Sequence, residues 1–149
     1  MQKSLIILIG TLSYCFTIAQ QPVRWSYSSK KLSETLYEVH ITANIDEGWH
    51  IYAQKQPKEA IAAPTKIKFN GNPLLKAVGK TSEIGTIKIQ MLESLGIEQY
   101  EYSGSVDFVQ VITLKNKSVK INLTGSVAYQ ACTDEKCLLP KEEKFNMSL

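Results

Sequence analysis

Leu36-Tyr37-Glu38-Val39-His40-Ile41-Thr42-Ala43-Asn44-Ile45 puts an apolar side chain at every second position: Tyr37, Val39, Ile41, Ala43 and Ile45. Side chains of a strand alternate between its two faces, so this pattern describes an extended segment with one buried and one wet face. A surface helix would need apolar residues three and four apart, and no long stretch of the chain sustains that spacing. Asp46-Glu47-Gly48 then supplies a turn, and Trp49-His50-Ile51-Tyr52 resumes extended structure.

Runs of the same kind follow at Lys66–Phe69, Ile87–Met91, Val106–Ile112, Val119–Leu123, Val127–Tyr129 and Phe145–Met147. Asn70-Gly71-Asn72-Pro73, Ser103-Gly104, Asn116-Lys117 and Thr124-Gly125 punctuate them as turns. Short strands with turn signals roughly ten residues apart predict an all-β antiparallel sandwich or barrel. Lys55–Pro64 and Glu93–Gln99 read as loops. The chain has no internal repeat and no low-complexity linker.

The first nineteen residues read as an export signal. Lys3 opens them, Leu5-Ile6-Ile7-Leu8-Ile9 begins an apolar run, and Ala19 puts a small residue at the expected cleavage site. The run is shorter and more polar than the roughly 20 apolar residues a membrane span needs. A mature chain of residues 20–149, one domain without a transmembrane segment, is therefore expected, in a compartment where disulfides persist. Of 17 basic residues only Lys3 falls in the signal, leaving 16 basic against 14 acidic. That balance gives no field to steer nucleic acid.

Cys15 lies inside the expected signal, so Cys132 and Cys137 become the two working cysteines. Between them Thr133-Asp134-Glu135-Lys136 is polar and fits a four-residue hairpin loop. Facing strands hold Cα atoms about 4.5–5.5 Å apart. A disulfide needs about 4.4–6.8 Å. A bond is thus geometrically available. As a staple it would contribute only about 2 kcal/mol by the chain-entropy account, against about 4 or more for a long loop. The pair is poorly placed for stability and well placed to open and close without unfolding anything. Two readings stay open on spacing alone, a redox pair and a static hairpin staple. Lys136 and Lys141 would favour a thiolate, while Asp134 and Glu135 would oppose it.

Val127-Ala128-Tyr129-Gln130-Ala131-Cys132, the short loop, and Cys137-Leu138-Leu139-Pro140 resemble the active-site region of the periplasmic N-terminal domain of DsbD-type thiol:disulfide interchange proteins. Asp46-Glu47-Gly48-Trp49-His50-Ile51-Tyr52 resembles the Gly-aromatic strand motif of the same family. The resemblance implies an immunoglobulin-like β-sandwich in which Cys132 and Cys137 shuttle between dithiol and disulfide. It implies that Cys137 forms the mixed disulfides and Cys132 resolves them, with His50 and Tyr52 flanking the pair. A thioredoxin-like domain or membrane electron transporter would donate electrons, and exported thiol or disulfide proteins would accept them. Longer family members continue into a membrane domain and a thioredoxin-like domain. Neither follows within these residues, so a separate donor is expected. The family's shielding loop carries an aromatic. The matching stretch, Met91-Leu92-Glu93-Ser94-Leu95-Gly96, offers Leu92 and Leu95 instead.

The remaining signals are blander. His40, on the wet face of its strand, reads as solvated. His50 reads as an ordinary surface histidine, with hydrogen bonding near the cysteines as the alternative. Trp25, Trp49, Phe108 and Tyr129 read as core. Cys132, Cys137, His50 and Met91 would suit zinc or copper, but zinc sites usually bring a second close ligand pair, so no metal or other cofactor is expected. Asn116, Asn122 and Asn146 each open a glycosylation acceptor triplet. No Ser-His-Asp set, P-loop or dinucleotide fingerprint occurs. A reductase component of exported-protein thiol chemistry is the leading expectation. A secreted β-sandwich adaptor with a structural hairpin disulfide is the alternative.

Overall fold

The segment Leu36–Ile45 forms a ten-residue strand with Val39, Ile41, Ala43 and Ile45 buried, as its alternation predicts. A computed structural model describes residues 21–116 and 120–149 of the chain. In chain order its strands are β1 (Val23–Lys31), β2 (Leu36–Ile45), β3 (His50–Tyr52), β4 (Lys66–Phe69), β5 (Leu75–Ile84) and β6 (Ile87–Leu92). They continue with β7 (Ile97–Tyr102), β8 (Ser105–Leu114), β9 (Asn122–Tyr129), β10 (Ala131–Cys132) and β11 (Lys141–Ser148). The expected signal segment lies outside the described residues. Among those residues no helix is long and apolar enough to cross a membrane.

Every strand pairing is antiparallel. One sheet runs β1-β2-β8-β5 and a second runs β11-β9-β4. Aromatic side chains join these two layers. Trp25 on β1 meets Tyr129 on β9 edge-on, ring centroids 5.2 Å apart, and Phe108 on β8 at 6.0 Å. Tyr27 meets Phe145 on β11 at 5.2 Å. Phe108 is fully buried and is the register partner of Ile41. Trp49, Phe108 and Tyr129 join the core as expected, and the half-buried Trp25 packs against it.

A third sheet, β10-β3-β7-β6, is assembled from extensions of the other two. β3 follows β2 across the Asp46–Gly48 turn, where Gly48 takes φ 79° and the Trp49 N–H donates to Asp46 O at 3.1 Å. β6 follows β5, β7 leads into β8 through Ser103-Gly104, and β10 continues β9 past Gln130. Strands that turn off at one end of the sandwich thus meet in a small sheet, and that sheet carries both cysteine-flanking motifs.

The structure corrects several expectations. Glu93–Gln99 is not all loop: Glu93–Gly96 makes the turn, and Ile97–Gln99 opens β7. Thr124-Gly125 is not a turn but the middle of β9. Gly125 faces Phe145 and Phe69 across the ladder, and a Cβ there would collide with the Lys68 carbonyl and the Phe145 ring. β1 and β5 are strands the alternation did not announce. His40 is not freely solvated. Its side chain is 25% exposed, Nδ1 lies 2.7 Å from Asp107 Oδ2, and Nε2 lies 3.3 Å from Glu38 Oε1. Asp107 and then Glu38 hold its imidazolium above the ordinary histidine range.

Candidate redox site

β9 ends at Tyr129, and β10 then pairs with β3 in the register Ala131↔Ile51, Cys132↔His50. The four polar residues beyond Cys132 close on themselves. Thr133 N–H donates to Lys136 O at 2.7 Å, and Thr133 Oγ1 accepts from the Glu135 and Lys136 N–H groups at 3.2 and 3.1 Å. This side-chain-capped turn brings Cys137 back opposite Cys132 as an antiparallel bridge. Leu138 N–H donates to Ala131 O at 2.9 Å and Gln130 Nε2 to Leu138 O at 3.0 Å, which secures the returning chain.

Cys132 and Cys137 form a disulfide, with Cα atoms 4.0 Å apart. Its two ends differ sharply. Cys132 is 0% exposed, whereas Cys137 is exposed. Cys137 opens onto a cleft of about 420 Å³, whose other walls include Tyr52, Ile61, Leu92, Gln99, Gln130 and Lys136. Lys136 Nζ sits 5.8 Å from the Trp49 ring centroid. Of the two bonded cysteines, Cys137 therefore lines the cleft, and Cys132 is sealed from solvent.

Sheet alternation sets a row of polar side chains on the same face as Cys132. His50 is its register partner, Tyr52 is two residues on, Glu101 faces Tyr52, and Lys88 faces Glu101. Glu101 is 1% exposed. Its carboxylate oxygens lie 2.9 Å from Lys88 Nζ and 3.3 Å from His50 Nε2, ion-pair contacts without the alignment of good hydrogen bonds. His50 Nε2 also lies 3.4 Å from Tyr52 Oη. Burial pushes His50 below the ordinary histidine range, against the opposing pull of Glu101 and Asp134, while Lys88 pushes the same way as burial. Burial, then Glu101, raises the Tyr52 phenol. The Glu101 contact raises the Lys88 ammonium.

Of the residues singled out from sequence, Cys132, Cys137, His50, Tyr52 and Leu92 gather here. Leu95 sits on the β6–β7 turn, 60% exposed and outside the cleft walls. His50 is no surface histidine: it is 7% exposed. Glu101, Lys88 and Gln99 escaped the sequence reading. The signal was available in Ile97-Glu98-Gln99-Tyr100-Glu101-Tyr102, where Gln99 and Glu101 hold inward positions of a strand.

Fold and site together define an antiparallel β-sandwich that presents a hairpin disulfide at one end, with one of its two cysteines exposed and the other sealed. The chain belongs to the family described as thiol:disulfide interchange protein DsbD, N-terminal, whose profile matches residues 20–149. Among solved structures it is similar to the N-terminal periplasmic domain of ScsB from Proteus mirabilis, with a TM-score of 0.61 at 14% identity, covering 86% of this chain and 47% of that one. The chain thus spans about half the length of that relative. It is also similar to the DsbD N-terminal domain of Neisseria meningitidis in its reduced form, with a TM-score of 0.51 at 17% identity, covering 82% of this chain and 83% of that one. At such identities the likeness concerns the fold, which is immunoglobulin-like. No curated protein matches the chain.

Proposed function

We propose that this chain is an exported, periplasmic thiol:disulfide interchange domain that relays reducing equivalents through Cys132 and Cys137, residues 1–19 being its removable signal. One observation carries the reading: the two cysteines of one bond have opposite access, Cys132 being 0% exposed and Cys137 exposed on a cleft. A static staple has no need of an open sulfur in a cleft. An exchanging bond requires one.

In the relay, a donor thiolate attacks Cys137 Sγ. The S–S bond breaks, and Cys132 leaves with the electron pair and takes up a proton. A second donor thiol loses its proton and attacks the donor sulfur of the mixed disulfide, releasing Cys137. The donor ends as a disulfide, and the domain ends as a dithiol with two electrons and two protons gained. Discharge reverses the sequence. The Cys137 thiolate attacks an acceptor disulfide, and Cys132 then attacks Cys137 Sγ and frees the acceptor as a dithiol. Tyr52 and Leu92 wall the cleft, and His50 backs Cys132. The donor is a thioredoxin-like domain or a membrane electron transporter, and the acceptors are exported thiol or disulfide proteins.

Equilibration with glutathione or dithiothreitol buffers tests the reading. A reduction potential near or above about −230 mV is expected, where labile pairs lie. A value below about −300 mV places the bond among structural disulfides and favours the adaptor reading.

A further inference from the structure

Burial raises a problem that the two-sulfur scheme does not solve. When Cys132 leaves as a thiolate, its charge appears at a site with no solvent exposure, on a sheet face that already holds the buried Glu101 carboxylate. An uncompensated buried charge is costly. In discharge the problem inverts, because the Cys132 thiol must lose its proton where water does not reach it. Each direction needs a proton carrier beside that sulfur.

We infer that His50 is the acid–base group for Cys132, that Glu101 positions it, and that Lys88 holds Glu101 in place. The inference rests on the interchange reading and concerns only the buried half of the pair. His50 and Cys132 are register partners on antiparallel strands, so their side chains stand next to each other on one sheet face. The ring's contacts to Glu101 and Tyr52 both use Nε2. That leaves Nδ1 to meet the sulfur's proton. The carboxylate stabilises the imidazolium that forms, as a third group orients the base in other activated nucleophiles. Lys88 neutralises Glu101 from the far side at 2.9 Å.

The proton count closes. In discharge, the Cys132 proton moves to His50, the Cys132 sulfur bonds to Cys137 Sγ, and the acceptor sulfur leaves with the electron pair of the broken mixed disulfide. In charging, His50 returns a proton to Cys132 as the internal bond breaks. The groups facing His50 are Glu101 from β7, Tyr52 from β3, Lys88 from β6, Asp134 from the hairpin loop and Cys132 from β10. With burial dominant, the ring is held below its ordinary value of 6.5, so it stands neutral and ready to accept at neutral pH.

Dithiobis(nitrobenzoate), a symmetric aromatic disulfide, separates the two sulfurs in time. Cys137 of the reduced protein attacks it and releases one coloured thiolate. Cys132 then closes on Cys137 and releases the second. In His50→Phe the second phase is expected to slow about 100-fold, the low end of general acid–base contributions. In the wild type that phase falls with acid through one inflection below 6.5. The inflection is absent in His50→Phe. In Glu101→Gln, which retains the ring, it moves lower because the carboxylate no longer holds the proton. Slowing of less than tenfold in His50→Phe, or an inflection that persists there, overturns the inference. If His50→Phe does not fold, the Glu101→Gln inflection decides, and an unmoved one overturns it. A reduced wild type that releases no thiolate overturns the interchange reading itself, whereas two wild-type phases with an unchanged second phase in the variant overturn this inference alone.

Discussion

Cys132→Ser is expected to turn the chain into a covalent trap, and Cys137→Ser to abolish capture and exchange. Cys137 is exposed and lines the cleft, and in the proposed relay its sulfur forms the mixed disulfide in either direction. With Cys132 gone, no other thiol among the described residues resolves that bond, and the adduct persists. In Cys137→Ser the remaining thiol among the described residues is Cys132, 0% exposed, where a visiting disulfide does not reach it. Stability does not confuse the comparison. Closing so short a loop contributes only about 2 kcal/mol. A domain of this size typically carries about 5–15 kcal/mol. Both variants therefore fold. Non-reducing gels and intact mass, after incubation with an exported disulfide-bearing protein, give the readout. Capture by Cys137→Ser in place of Cys132→Ser would reverse the assigned roles.

Gly125→Val is expected to unfold the protein or to destabilise it by more than about 4 kcal/mol, the exceptional end for a single substitution. The clash is with the Lys68 carbonyl, which is backbone and cannot rotate aside, and with the Phe145 ring wedged over β9. Phe145 in turn meets Phe69 with centroids 5.8 Å apart and Tyr27 at 5.2 Å, so relieving the clash would unseat an aromatic cluster joining both layers. The strand affected runs on into β10 and the cysteines. Gly71→Ala is the control: a Cβ there meets nothing within 4 Å, and a change within about 0.5 kcal/mol is expected. Urea titration of both variants reads the difference. A Gly125→Val protein as stable as the control would remove the argument for the wedged ring.

The elements the sequence concealed share a cause. Strand alternation is visible only where one face is apolar and the other wet. β5 is an edge strand, mostly exposed, with a register shift between Val78 and Ser82 and a left-handed Gly79. It is a strand because β8 offers it a ladder, not because its side chains alternate. In β1 the alternation Val23, Trp25, Tyr27 fades into Ser28-Ser29-Lys30-Lys31. β7 inverts the expected pattern by turning Gln99 and Glu101 inward. A buried carboxylate is tolerable only with partners, and those partners, Lys88 and His50, lie on other strands.

The linear chain by itself settled the all-β class and the cysteine hairpin, because two-residue periodicity and a four-residue loop are local properties of the backbone. It carried the family likeness for the same reason, in contiguous motifs around Trp49 and Cys132. Only the tertiary structure decided which cysteine lines the cleft and which is sealed, and that His50, Glu101 and Lys88 form one row beside the sealed one. Those facts depend on the registers of β10 on β3, β3 on β7 and β7 on β6. Slipping any of these by one residue would send the side chains to the opposite face.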